Sequence, residues 1–173
     1  MAFNVNEFKG KLSGGGARPA LFDVQIFGQG VPEVSYHCRA TQLPQSTLGQ
    51  VIVPYFGRQV KLAGNRTFDD WTVTIINDED FQIRNALELW SHNINRHVSN
   101  INALGSSKSA YQGNALVNQY SQTGDKIQTY TFTGLYPIAI SPIDLAWEAE
   151  AVEEYTVTFA VDWWEHGDAG VTG

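Results

Sequence analysis

This sequence predicts a mainly β domain: a β-sandwich or barrel-like arrangement of antiparallel strands with one packed α-helix. Three observations carry that reading. From residue 20 onward apolar and polar residues alternate with period two, as they do in strands with one buried face. One segment alone departs to helical spacing. The 173 residues, 43% of them hydrophobic, fit one domain with one core.

Taken in order, the first sixteen residues close on Ser13-Gly14-Gly15-Gly16, a composition costly to order, and are read as a flexible arm over 1–16. The glycines lack the Lys-Ser/Thr ending of a phosphate loop. The domain is expected over 17–165, with a tail at 166–173. Phe22, Val24 and Ile26 share a face of one strand; Val34, Tyr36, Cys38 and Ala40 of a second; Trp71, Val73 and Ile75 of another. Segments 50–56 and 58–63 are apolar strands hinged at Gly57, which predicts a hairpin, and Pro54 argues for an edge position. Tyr130 and Phe132, then Tyr155, Val157, Phe159, Val161 and Trp163, supply further alternating runs rich in aromatic and β-branched residues. Trp163 falls on the buried face of the last run and Trp164 on the other, so one of the two is expected to meet another chain or the helix.

The helix follows Asn77. Ile83, Leu87, Trp90 and Ile94 recur at helical spacing, and Asp78, Glu79 and Asp80 stand where the positive end of the helix dipole favours acids, predicting a helix over 78–95. Residues 98–114 read as a flexible connection. Phe68 and Trp71 are expected in the core.

Charge and motif content exclude several function classes. Eleven Lys and Arg against 18 Asp and Glu give a net charge of -7, which argues against wrapping a nucleic acid by phosphate neutralisation. One cysteine, Cys38, closes no intramolecular disulfide and builds no cysteine zinc site; its alternation with Val34 and Tyr36 marks it as a small core residue. No apolar run approaches the ~18–20 residues that span a bilayer, and the start lacks a signal-peptide core, so a soluble, unexported protein without membrane insertion is expected. His37, His92, His97 and His166 are scattered, and His92 and His97 lie five apart rather than at i, i+4 spacing. Adjacent Asp69 and Asp70 would point to opposite faces in a strand and so cannot serve one reacting atom; they read instead as turn and strand-entry residues. No Gly-x-Ser-x-Gly elbow occurs. An enzyme, a metal site and a cofactor are therefore not expected. After Lys126 no Lys or Arg follows, while Asp144, Glu148, Glu150, Glu153, Glu154, Asp162, Glu165 and Asp168 accumulate around Trp147, Trp163 and Trp164. This is either a solvated acidic face or a surface that repels an anion or meets a basic partner.

The stretch from Ala63-Gly64-Asn65-Arg66-Thr67-Phe68-Asp69-Asp70-Trp71 through Thr72-Val73-Thr74-Ile75-Ile76-Asn77-Asp78-Glu79 resembles the signature segment of the tail tube proteins of contractile-tailed bacteriophages. So do Ala17-Arg18-Pro19-Ala20-Leu21-Phe22-Asp23-Val24, Ala40-Thr41-Gln42-Leu43-Pro44, and the ending Val157-Thr158-Phe159-Ala160-Val161-Asp162-Trp163-Trp164-Glu165. The resemblance covers nearly the whole domain; it departs at Ala20, at Asn65 and in the eight residues after Glu165.

What the resemblance implies is a structural virion protein whose strands join those of neighbours in a six-membered ring, the rings stacking into a hollow tube that conducts DNA. Its implied partners are further copies of itself, the tail sheath protein, the tape-measure protein, the baseplate hub or tube initiator, and the tail terminator. DNA enters only as passing cargo. The implied location is the phage tail, assembled in the host cytoplasm. Within this frame Arg18 and Arg66 are candidates to pair with Asp69 or Asp70, inside one subunit or between two; an exposed pair contributes only ~0–1 kcal/mol. Leu48, Val51, Val53 and Tyr55 are candidates for a ring contact, with ordinary core as the other reading. The alternatives are a baseplate tube initiator or injection-system tube of the same family and, from another class, a carbohydrate-binding β-sandwich module suggested by the tryptophans and many Asn and Gln side chains.

Overall fold

The computed structural model describes residues 10–11, 16–148 and 150–168. Residues 1–9 and 12–15 of the expected arm, and 169–173 of the expected tail, lie outside the described residues. Elements follow the order β1 (Phe22–Phe27), β2 (Cys38–Thr41), β3 (Ser46–Tyr55), β4 (Arg58–Phe68), β5 (Trp71–Ile76), α1 (Gln82–Ile94), α2 (Lys108–Tyr111), β6 (Gly113–Tyr120), β7 (Lys126–Ile140), β8 (Glu154–Ala160) and β9 (Trp163–Asp168).

Every strand pairing is antiparallel, and β7 joins two halves of one folded sheet. Through Leu135 it pairs with β6, and over Gln128–Thr133 its other edge carries β9; beyond Gly134 it pairs with β8. One half therefore runs β1-β6-β7 with β9 outermost, and the other runs β7-β8-β5-β2. Inward alternation fills the space between them: Val24, Ile26, Ala115, Val117 and Phe132 from the first, Trp71, Val73, Ile75, Tyr155, Val157 and Phe159 from the second. Trp71 stacks on Phe132 with ring centroids 4.5 Å apart and tilts against Phe159 at 5.6 Å. Its indole N–H, deep in that core, donates to Thr41 Oγ1 and the Gln42 carbonyl. Each such ring contributes on the order of 2–3 kcal/mol by leaving water.

Helix α1 closes one end of this core with Ile83, Leu87 and Trp90 buried and Ile94 partly so, the stripe read from the sequence. Trp90 donates its indole N–H to the Tyr111 carbonyl at 2.7 Å, tying the far side of the connection to the helix. Its ring fills a slot walled by Gly28 and Gly113, where a Cβ on Gly28 would stand inside the indole.

Several expectations shift. The helix begins at Gln82 rather than 78: Asp78–Phe81 forms a turn, Phe81 enters the helix with φ 54, and Asp80 accepts the Gln82 amide, so the acids precede the first helical turn. Val34 is buried, but residues 35–37 turn, with the amides of His37 and Cys38 both donating to the Val34 carbonyl, and this leaves Tyr36 exposed. The expected connection over 98–114 contains α2 and the start of β6, a strand the alternation did not reveal. The expected run from 155 to 163 is two strands, because the chain leaves β8 at Ala160 and crosses at Asp162 to the other half of the sheet. The crossing reverses the two tryptophans: Trp164 packs on the core beside Tyr130 and Phe68, while Trp163 is 44% exposed. Finally, β9 continues to Asp168, so 166–168 belong to the sheet rather than to a tail.

Candidate subunit-interface surfaces

Strands β3 and β4 form a separate two-stranded sheet. Its base is tied to the domain by the Asp69 amide donating to the Gln45 carbonyl and by the edge-on contact of Phe68 with Trp164. Ten residues of β3 give it a reach of about 33 Å at ~3.3 Å per residue. The tip is a two-residue turn in which both central residues have positive φ, Phe56 at 41° and Gly57 at 78°, the hand that matches strand twist. Glycine adopts this without strain; Phe56 does so at a cost of roughly 1–2 kcal/mol and holds its ring 91% exposed, edge-on to Tyr55 at 4.7 Å.

Register defines the two faces of this ribbon. Val51 stands opposite Leu62, Val53 opposite Val60 and Tyr55 opposite Arg58, so these six share one face. Gln50 with Ala63, Ile52 with Lys61 and Pro54 with Gln59 share the other. One step from a two-residue turn, the Pro54 pair is the one that exchanges no backbone hydrogen bonds, so the missing proline N–H faces outward and costs the ladder nothing. Val51, Ile52, Val53, Tyr55, Val60 and Leu62 are all exposed, as is Leu48 below the bulge. Of the two readings open for Leu48, Val51, Val53 and Tyr55, ordinary core is thereby excluded. An isolated two-stranded ribbon is marginal in water, and a bare apolar face of this kind is a candidate association surface. Sequence reasoning did not single out Val60 and Leu62, which stand opposite Val53 and Val51 on the same face.

The candidate charges do not pair with one another among the described residues. Arg18, Arg66, Asp69 and Asp70 are exposed, and Arg66 donates to Ser46 Oγ at 3.3 Å. Among the described residues neither aspartate lies within ion-pair distance of an arginine. The acidic C-terminal quarter is partly matched by cations from earlier in the chain: Asp162 meets Lys108 at 3.2 Å, and Glu154 pairs with Arg39. Glu153 accepts from Asn77 at 2.9 Å.

Little here could do chemistry. Burial pushes the Cys38 thiol up to about 12, far from a thiolate nucleophile at neutral pH. His92 and His97 meet edge-on at 4.8 Å once the helix has ended at Ile94, and His37 Nε2 lies 3.5 Å from Asp78. Among the described residues no three His, Cys, Asp or Glu side chains gather as metal ligands would, and no helix is long and apolar enough to cross a membrane.

Comparison with known proteins agrees with this geometry. The family described as phage tail tube protein matches residues 13–166. The chain is 33% identical over 155 residues to tail tube protein gp19 of Enterobacteria phage T4, covering 88% of this chain and 93% of that protein. It is 27% identical over 161 residues to the tail tube protein of Serratia phage KSP90, covering 88% and 89%. Among solved structures, a chain of the tube-terminating cap of the anti-feeding prophage superposes with a TM-score of 0.68 at 12% identity, covering 88% of this chain and 91% of that one. A chain of the extended PVC sheath-tube complex, an extracellular contractile injection system, superposes at 0.65 with 9% identity, covering 97% and 100%. These two likenesses establish a shared fold, whereas the sequence matches to phage tail tube proteins establish kinship and set the glycan-binding and enzymatic readings aside. The chain belongs to the phage tail tube protein family.

Proposed function

We propose that this protein forms the inner tube of a contractile phage tail by closing into homohexameric rings that stack into a hollow conduit for DNA. The observation that carries this reading is the β3–β4 ribbon, whose apolar face is exposed and has no cover among the described residues. A cyclic ring uses heterologous contacts that close by rotation, and head-to-tail stacking leaves the axis free to polymerise. Closing the sheet edges into a continuous barrel also removes sticky strand edges. Arg18 and Arg66 meet Asp69 or Asp70 of a neighbouring subunit, since inside one chain these groups stay apart.

The partners that follow are the sheath protein outside the tube, the tape-measure protein within it during assembly, the baseplate hub or initiator at one end and the terminator at the other. The net charge of -7 suits a wall past which DNA slides, because Lys or Arg there would hold phosphates. The phage-tail reading is favoured over an injection-system tube because the phage proteins match in sequence, whereas the injection-system chains match in fold.

Sedimentation of the full-length protein over a concentration series tests the reading. Six-chain particles and longer assemblies are expected. A monomer at every concentration, with and without preformed tube ends from a related tail, would contradict it.

A further inference from the structure

Two exposed segments carry opposite and unmixed charge. Beyond its bulge, over residues 50–63, the β3–β4 ribbon carries Arg58 and Lys61 and no acid. Its apolar face presents Val51, Val53, Tyr55, Val60 and Leu62, with Arg58 on the same face and Lys61 on the other. The loop between β7 and β8, residues 142–152, carries Asp144, Glu148 and Glu150 and no base. Among the described residues none of these five charged groups has an ion-pair partner.

The loop is also apolar where it is exposed. Trp147 stands wholly in solvent, Leu145 is 80% exposed, and Val152 is uncovered. Its ends are held: the Ser141 amide donates to the Thr156 carbonyl, the Thr156 amide donates to Ser141 Oγ, and Glu153 takes part in the contact with Asn77. The loop therefore offers a large indole, the side chain most enriched at interface anchors, with acids close to it in sequence, on a held base. An exposed aromatic–aliphatic segment that carries only acids and an exposed aliphatic–aromatic ribbon that carries only bases are complementary in both respects that matter for association.

Resting on the tube reading above, we infer that the acidic loop 142–152 of one subunit is the seat for the β3–β4 ribbon of another copy of this chain. Trp147 and Leu145 cover the Val51–Val60 face, while Arg58 and Lys61 meet Asp144, Glu148 and Glu150. Each subunit carries one ribbon and one loop, so the contact is heterologous and passes from copy to copy without using up either surface.

Charge reversal on each side tests the pairing. One variant carries Arg58→Glu with Lys61→Glu, a second carries Glu148→Lys with Glu150→Lys, and a third combines all four changes in one chain. All the altered side chains are exposed, and circular dichroism with thermal melting checks that each monomer stays folded. Each two-site variant should lower the sedimentable fraction at matched concentration by about tenfold or more, since it brings like charges together across the interface. The four-site variant should recover assembly at low salt. If the loop variant assembles as well as the unmodified chain, or the four-site variant stays as defective as its parents, the pairing is wrong while the tube reading stands. If the unmodified chain itself never assembles, the tube reading fails and this inference falls with it.

Discussion

Val53 stands directly opposite Val60 across the β3–β4 ribbon, and both side chains are exposed. Two β-branched residues facing each other on a sheet ordinarily lie against a core. Here they are exposed, so within the described residues they stabilise little beyond the ribbon. Val53→Asp or Val60→Asp should therefore leave the melting temperature of the monomer nearly unchanged, within about 0.5 kcal/mol in stability, and abolish assembly. Sedimentation beside thermal melting separates the two effects; a variant that assembles normally removes this face from the interface.

The opposite result is expected for Trp71, which is fully buried, stacked on Phe132 and hydrogen-bonded to Thr41 and Gln42. Trp71→Ala should cost about 3–5 kcal/mol in chemical denaturation, the range for deleting a large core ring. A loss below about 1 kcal/mol would show that the two sheet halves do not meet at this residue.

Close packing around Trp90 makes a glycine indispensable. Gly28→Ala places a methyl group where the indole ring lies, so either the helix or β1 must move, at a cost of about 1–3 kcal/mol for overpacking. Urea titration of the monomer reads this cost. A neutral or stabilising outcome would contradict the slot.

Alkaline pH should weaken the fold. Burial raises the Tyr155 hydroxyl from 10.0 to about 12, with the Arg84 guanidinium opposing and Glu88 assisting, and burial likewise raises Cys38 from 9.0 to about 12. Because the unfolded chain ionises first, stability from both groups is intact below pH 9 and is lost as pH rises toward 12. The Tyr155 hydroxyl is buried and has no hydrogen-bond partner among the described residues. Tyr155→Phe should therefore cost little at pH 7 and flatten the decline above pH 10, as melting curves from pH 7 to 11.5 would reveal. An unchanged decline would assign it to other groups.

How much of this was legible depended on what period-two alternation encodes. It marked Trp71, Val73 and Ile75 correctly because β5 keeps one face inward along its whole length. It failed at Trp163 and Trp164 because alternation records which side a residue takes, not which strand it pairs with, and the chain changes partner at Asp162. β6 stayed hidden because Asn114, Asn118 and Gln119 dilute its apolar positions; Asn118 is nonetheless 2% exposed, held by Asp23 and Thr129. The ribbon was visible as an excess of apolar residues, but only the register across it showed that Val51, Val53 and Tyr55 share a face with Val60 and Leu62. A sequence read alone gives no cross-strand partners, and an interface face is defined by them.

Electron cryo-microscopy of the full-length protein across a concentration series tests the central claim most directly. End-on views should show six-fold rings with an open centre, and side views should show rods of constant diameter, with the ribbon of each subunit covered by a neighbour. Particles that stay monomeric even when supplied with tube ends as templates, or rings in which every ribbon projects bare into solvent, would contradict the account.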